Sequence, residues 1–431
     1  MITHELIERI EGEAVLDFQT DKSGVVQEAA IRFLHFRGME SILEGRNALD
    51  ALVITPRVCG ICGHSHLIAT VKMIENAYRN AGIAIRISDK ANAIRQITLS
   101  SDLIPTPLKW LSLVLVQESG KLVGEEPSVA LKALYVSSQV NQLCALFSGQ
   151  WPHSSYALPG GVSCDPTHIE VMQALKILSD VERFTRDEVL GCTPKVFEQA
   201  MRDNELLNLT GDFGTVLRNF ERLKLWNTGK SHGRFLVLGD DQTAIVSGVR
   251  TKADISLVSE DSSQTFENGG KTHAKNALYN GAFYEGGPLA RALVRERIGV
   301  SELYRTYGDG AVTRITARVE EMVSLCVQVR QLLISLDLSQ PSFIPPPAIE
   351  SISAEGIGIV EAPRGPLIHR ARLEKGKIVE YSIITPTQWN LGNGTSTNLG
   401  VAQRAMIGAE SIAKASLIFR TFDVCSVCTT H

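Results

Sequence analysis

Arg57-Val58-Cys59-Gly60-Ile61-Cys62-Gly63-His64-Ser65-His66 decides how this chain is read, because its C-x-x-C pair with a following histidine recurs at the far end as Asp423-Val424-Cys425-Ser426-Val427-Cys428-Thr429-Thr430-His431. Each pair can place two sulfurs on one metal, so the two segments read as halves of a single buried four-thiolate site. Thiolates select zinc, nickel, copper or iron over magnesium and calcium. A structural zinc site held by four cysteines is one reading of that spacing. Size argues against it: small zinc modules use the metal in place of a core, whereas 431 residues that are 44% hydrophobic can bury a core without one.

The remaining composition excludes more than it assigns. A formal net charge of -4 with 21% charged residues leaves no electrostatic footprint for nucleic acid. Eight cysteines in a chain this long are not a disulfide scaffold, and Cys144, Cys164, Cys192 and Cys326 have no ligand spacing, so they read as small buried residues. Met1-Ile2-Thr3-His4-Glu5 lacks a basic stretch leading into an apolar run, and no window reaches the roughly eighteen apolar residues of a spanning helix. The chain reads as soluble.

Periodicity places the motifs. Alternation from Arg9 to Phe18, a turn at Asp21-Lys22-Ser23-Gly24 and further alternation to Phe33 predict a hairpin carrying Glu11. Helical spacing runs from His64 to Ala81 and from Asp89 to Leu103, with Pro105 and Pro107 predicted to interrupt it before Trp110. Further helices are expected over Ser128 to Phe147, His168 to Leu190, Val312 to Leu336 and Ala402 to Phe419. Strand-like runs fall at Arg234 to Leu238, Thr243 to Val249, Ile357 to Val360, Leu367 to Leu373 and Ile378 to Ile384. The expected fold is α+β and predominantly helical, a central long-helix bundle with small peripheral β-sheets. One domain, 1–431, is expected, comprising an N-terminal hairpin region (1–40), helical core (41–205), β-rich insertion (211–270), further helical core (271–340) and a β-hairpin plus metal-binding tail (341–431).

The two cysteine segments resemble the R-x-C-G-x-C-x-x-x-H and D-P-C-x-x-C-x-x-H signatures of the large subunit of nickel–iron hydrogenases. Arg9-Ile10-Glu11-Gly12, Phe36-Arg37-Gly38-Met39-Glu40 with Ile42-Leu43-Glu44-Gly45-Arg46, Pro152-His153, Tyr284-Glu285-Gly286-Gly287-Pro288-Leu289-Ala290-Arg291, Glu361-Ala362-Pro363-Arg364-Gly365 and Pro386-Thr387-Gln388-Trp389-Asn390 are similar to further elements of that family, in its order. The resemblance spans nearly the whole chain. It implies reversible heterolytic cleavage of dihydrogen to protons and electrons at a buried nickel–iron centre whose iron carries one carbon monoxide and two cyanide ligands.

The resemblance also implies roles. Cys59 and Cys425 would be terminal nickel ligands, and Cys62 and Cys428 bridges to iron. Cys425 would accept the proton of dihydrogen, a task for which Arg364 is the other candidate. Glu11, standing alone, would read as a solvated strand residue; within R-I-E-G it takes the family's proton-gate position. Arg364 and Thr387 would donate to the cyanides beside Pro363, and His66 to a bridging sulfur. Glu40, a backbone carbonyl near Ile383 and His431 would hold magnesium near the C-terminus.

Val424 stands where the family usually has proline, Ser101 to Leu111 lacks a histidine-rich stretch found in many relatives, and Gly392-Asn393-Gly394-Thr395 replaces a longer loop. No further cysteine cluster is present for iron–sulfur centres, so electrons are expected to leave through an iron–sulfur small subunit docked near the N-terminal hairpin and the first cysteine motif, in an obligate heterodimer. Maturation factors, and an endopeptidase that removes a C-terminal extension, are implied partners. Any membrane contact is expected to be indirect. The expected compartment is the cytoplasm, with export alongside a signal-bearing small subunit left open. A hydrogen sensor with the same centre and a quinone-reductase relative are the alternative readings; four intact cysteines disfavour the second.

Overall fold

The computed structural model describes residues 2–10, 12–126 and 130–425, with residues 8–10 described at the backbone only. Glu11, Cys428 and His431 therefore lie outside the described residues. Among the described residues no helix is long and apolar enough to cross a membrane.

The N-terminal alternation folds as a three-stranded antiparallel sheet, Ile2–Ile10, Gly12–Thr20 and Val26–Arg32, rather than as the single expected hairpin. The period of two turns Ala14, Leu16, Phe18 and Ile31 inward. Its far edge is covered by the end of the chain. Val26 N–H donates to Ala409 O (2.9 Å), Gly408 N–H to Val26 O (2.8 Å), and Ile31 N–H to Asn393 Oδ1 (2.8 Å).

Gly63–Asn80 forms the helix that opens on the first cysteine motif, and it is buried on nearly all sides. Gly63 is required at its start, since a Cβ there would stand 2.8 Å from Pro56 O. The helix lies directly on the strand Ala354–Ala362. Two glycines permit that approach: a Cβ on Gly356 would meet Met73 O at 2.2 Å, and one on Gly358 would meet Ala69 O at 1.9 Å.

Helices Asp89–Leu103, Leu131–Ser148, His168–Phe184 and Ala311–Ile334 pack on one another as the expected bundle. A buried ion pair, Arg95 to Glu75 (2.8 Å), ties the bundle to the first-motif helix, and the same guanidinium donates to Leu158 O and Gly161 O. The predicted proline interruption is instead a joint. Helix Pro105–Lys109 starts on Pro105, continues through Trp110–Leu115 and ends at Leu122, because a proline in the first turn forfeits no intrahelical hydrogen bond.

Two other expectations change. The block expected to be β-rich opens with a helix, Asp212–Arg222, whose Phe213, Val216, Leu217 and Phe220 fall on one buried face; the Gly-Asp-Thr punctuation around it masks that period. Three short strands follow, Arg234–Val237, Thr243–Val246 and Val249–Lys252, while Val258–Asp261 pairs with Asn276–Tyr279. The single expected C-terminal helix is two, Val401–Met406 and Ile412–Arg420, parted where Gly408 turns left-handed (φ 86°) and the backbone adds to the N-terminal sheet. Before them, strands Ala354–Ala362, Gly365–Glu374 and Lys377–Ile384 form an antiparallel sheet in sequence order.

Gly358→Ala should lower stability by at least about 2 kcal/mol, because its methyl group meets helix backbone that cannot step aside. The midpoint of denaturant unfolding checks this, with a change at an exposed strand position such as Val249→Thr as the small-effect control.

Candidate metal centre

The two ends of the chain meet at sulfur. Cys59 and Cys425, 366 positions apart, bring their Sγ atoms to 3.7 Å. Cys62 joins them in one buried cluster, the three thiols being 1%, 4% and 0% exposed. Two sulfurs bonded to one metal at about 2.3 Å and a tetrahedral angle stand roughly 3.8 Å apart, so this separation suits a shared ion. The loop itself favours the anion: Ile61 N–H and Cys62 N–H both point at Cys59 Sγ, each at 3.4 Å. Among the described residues no group of three or more histidine, cysteine or acidic side chains closes as a complete ligand set; the fourth expected sulfur, Cys428, lies outside them.

Positive charge walls this cluster. Arg364 donates from Nε to Asp423 O (2.5 Å) and from Nη2 to Asp423 Oδ1 (3.2 Å). Arg318, from the long helix, donates to Asp423 Oδ2 (3.1 Å) and lies over the Trp110 ring. Burial pulls Arg318 down to about 10, which leaves it protonated at neutral pH. Pro363 is buried, its carbonyl held by Arg291, which is itself neutralised by Glu321 and Glu361. Asn390 fixes the Arg364 carbonyl (2.9 Å). Thr387, expected to donate to a cyanide, directs its hydroxyl to Cys425 O (2.9 Å). That proton is spent on orienting the Cys425 backbone.

Behind Cys62 lies a chain of rings and hydroxyls. His66 Nδ1 is 3.0 Å from His369 Nε2, and His369 Nδ1 meets Tyr381 Oη (2.8 Å) and Thr70 Oγ1 (3.2 Å). Nδ1 of His66 is thus committed, and Nε2 is the nitrogen that would serve a sulfur.

A second buried group flanks Cys59. Asp102 takes Trp151 Nε1–H (3.3 Å) and faces His64 Nδ1 at 3.8 Å, while Cys144 Sγ sits 3.4 Å from His64 Nε2. Burial pushes Asp102 up to about 7 against the Trp151 hydrogen bond, pulls His64 down to about 4 and keeps the Cys144 thiol protonated. Between those values the carboxyl and imidazole face each other uncharged, not as an ion pair. The Cys144 thiol also lies 3.7 Å from Thr98 O, to which it donates.

Glu40 and Ile383 come together away from the sulfurs, the Ile383 N–H donating to Glu40 Oε1 (2.8 Å). Lys275 donates to Glu40 Oε2 (3.3 Å) and stands 3.8 Å from Glu260. Burial works against the Lys275 charge, but the two carboxylates outweigh it and raise its pKa. This group borders a polar cavity of about 750 Å³.

Sequence reasoning therefore brought together Cys59, Cys62, Cys425, Arg364, Pro363 and Thr387, with His66 beside them and Glu40 with Ile383 at a separate place. It missed Asp423, Arg318, His369, Asp102, His64 and Lys275. Asp423 stood inside the second motif and His64 inside the first without a role; Arg318, His369 and Asp102 carried no local signal, since each acts through a partner well removed in sequence.

The family model for nickel-dependent hydrogenase matches residues 37–106 and 240–431. Relatives include the periplasmic [NiFeSe] hydrogenase large subunit of Desulfomicrobium baculatum (23% identical, covering 100% of this chain and 94% of that one), the sulfhydrogenase 2 subunit alpha of Pyrococcus furiosus (25%, 98% and 97%) and the hydrogenase-2 large chain of Escherichia coli (22%, 100% and 97%). In three dimensions the chain is similar to the oxidised Ni-Fe-Se hydrogenase from D. vulgaris Hildenborough, with a TM-score of 0.84 at 20% identity over the whole of both chains. The same fold is present in the reduced enzyme from Desulfomicrobium baculatum (TM-score 0.83, 21% identity).

His64 is neutral when buried and protonates near its ordinary 6.5 when unfolded, so below that value the unfolded chain binds the extra proton and the His64 contribution to stability falls by about 1.4 kcal/mol per unit down to about 4, while the raised Asp102 acts in the opposite sense. His64→Gln should remove this slope. Denaturation midpoints at pH 7 and pH 5 decide it; an unchanged difference between wild type and variant at the two values counts against the assignment.

Proposed function

The chain belongs to the nickel-dependent hydrogenase family, and on that premise we propose that it is the catalytic large subunit of a nickel–iron hydrogenase, with Cys59, Cys62, Cys425 and Cys428 as its metal ligands. The meeting of Cys59 and Cys425 beside an aspartate held by two buried arginines carries this reading. A nickel–iron pair held there supplies an open coordination position at which dihydrogen is polarised. The donor set fits it: soft thiolates, amides aimed at sulfur, and a guanidinium at the wall.

The protein's own part is to take and export the proton. The Cys425 thiolate accepts it, with Arg364 holding the adjoining backbone and Thr387 the Cys425 carbonyl. Glu11 passes it on, a carboxyl group being a suitable relay wherever desolvation raises its pKa towards neutrality. His66 Nε2 would donate to Cys62. Pro363 and Arg364 would hold the iron's small ligands, the guanidinium suiting two cyanide anions and the dry proline wall a neutral carbon monoxide.

At the second place, two carboxylates around one ammonium leave a net negative pocket. We read it as the holder of a hydrated magnesium ion, with Glu40, a backbone carbonyl beside Ile383 and His431 as ligands. Electrons leave to an iron–sulfur small subunit. Phe36, Leu49 and Val53 on the approach to the first motif, and Ile2 and Leu6 on the outer face of the N-terminal sheet, are exposed apolar side chains that such a partner would cover. Arg37, next to Phe36, grips Arg57 O and Val58 O, so this surface is tied to the ligand loop. Maturation factors that load the metals, and an endopeptidase that trims the C-terminus afterwards, belong to the same reading.

Infrared spectroscopy with metal analysis of the purified complex tests the proposal: carbon monoxide and cyanide stretches with equimolar nickel and iron support it, and zinc without such bands overturns it. Cys425→Ser should reduce hydrogen turnover by at least about a thousandfold, measured by hydrogen-dependent dye reduction; wild-type rates would remove Cys425 from the mechanism. Glu11→Gln should slow hydrogen–deuterium exchange by about a hundredfold or more while the infrared bands stay, and unaltered exchange rules out this carboxyl as the relay.

A further inference from the structure

The backbone that presents Cys425 is unusual. Asp423, two residues before it, adopts a left-handed conformation (φ 57°) although it carries a side chain, and Val424 contributes no ring to stiffen the step. A residue in that region keeps its conformation only where its surroundings over-determine it.

Those surroundings are distinct and buried. One carboxylate, Asp423, receives two guanidinia: Arg364 on Oδ1, and Arg318 on Oδ2 at 3.1 Å. Arg318 also reaches the Phe422 carbonyl (3.4 Å), so one rigid fork spans consecutive residues of the turn. Its planar face lies 5.1 Å from the Trp110 ring centre, and Trp110 Nε1–H donates to Arg420 O (2.7 Å). One turn earlier on the same helix, Arg314 sits over the Phe422 ring at 3.9 Å and is anchored by Glu285. The long helix therefore holds residues 420–423 from one side, and Arg364 from the other. Two cations against one carboxylate also leave an excess positive charge beside the thiols, which a thiolate centre would balance.

We propose that Arg318 is a positioning residue that, together with Trp110, locks the Asp423 turn and thereby aims the Cys425 sulfur at the metal. This rests on the reading of Cys425 as a metal ligand. Lysine in its place keeps the charge but loses the fork; glutamine keeps a donor but loses the charge.

The test compares Arg318→Lys and Arg318→Gln in the purified full complex by amide hydrogen–deuterium exchange and by nickel content per chain. Arg318→Gln should raise exchange over residues 420–425 about tenfold while leaving the Gly63–Asn80 helix protected, and should at least halve bound nickel. Arg318→Lys should loosen the same amides less and retain most of the nickel. Wild-type exchange at 420–425 in both variants overturns the proposal, as does a uniform loss of protection across the core, which marks a merely structural role. Should Arg318→Gln fail to accumulate, Arg318→Lys decides alone: loosening confined to 420–425 supports the lock, and none refutes it. Zinc without nickel in the wild type would instead sink the functional reading and leave the exchange result intact.

Discussion

Sulfur that is to act as an anion out of water must be surrounded by positive charge and N–H dipoles, and the rest of this structure answers to that requirement. Amides of the first motif turn towards Cys59, and two arginines converge on the aspartate that opens the second motif. Neither arginine comes from the loop it supports. Arg318 comes from the long helix and Arg364 from a turn between two strands, so the charge balance of the centre is distributed over the core. Buried cations of this kind are stable only when each has its partner, and the network supplies them: Glu285 for Arg314, Glu321 and Glu361 for Arg291, Asp423 for Arg318 and Arg364.

The convergence of the two motifs is a property of packing. Glycines 356 and 358 let the first-motif helix press against a strand from the last fifth of the chain, and the backbone around Gly408 completes the N-terminal sheet. These contacts join sequence ends through backbone groups, which makes their relative position insensitive to side-chain identity elsewhere.

What the sequence made legible follows from range. Cysteine spacing, the periodicity of the long helices and the alternation of the strands are local signals, and each reappears in the fold. The helix at Asp212–Arg222 was hidden by turn-forming residues around a correct period, and the helix that restarts on Pro105 and runs past Pro107 to Leu122 by the habit of reading proline as a stop. Side chains that act across long separations left no trace: His369 serves His66 from 303 positions away, and Arg318 serves Asp423 from 105. That Ile383 meets Glu40 through its N–H was likewise not legible, because which of N–H or C=O faces a neighbour depends on sheet register, and register is not written in the local pattern.

The strand Val26–Arg32 has one last implication. Its outer edge finds its hydrogen-bond partners in residues 393–409, which are made long after it. On the ribosome that edge stays unsatisfied while more than three hundred and sixty residues emerge, a template open to any stray strand. Cys59 and Cys62 wait through the same interval for Cys425, so the buried sulfur cluster closes only once that late segment has docked.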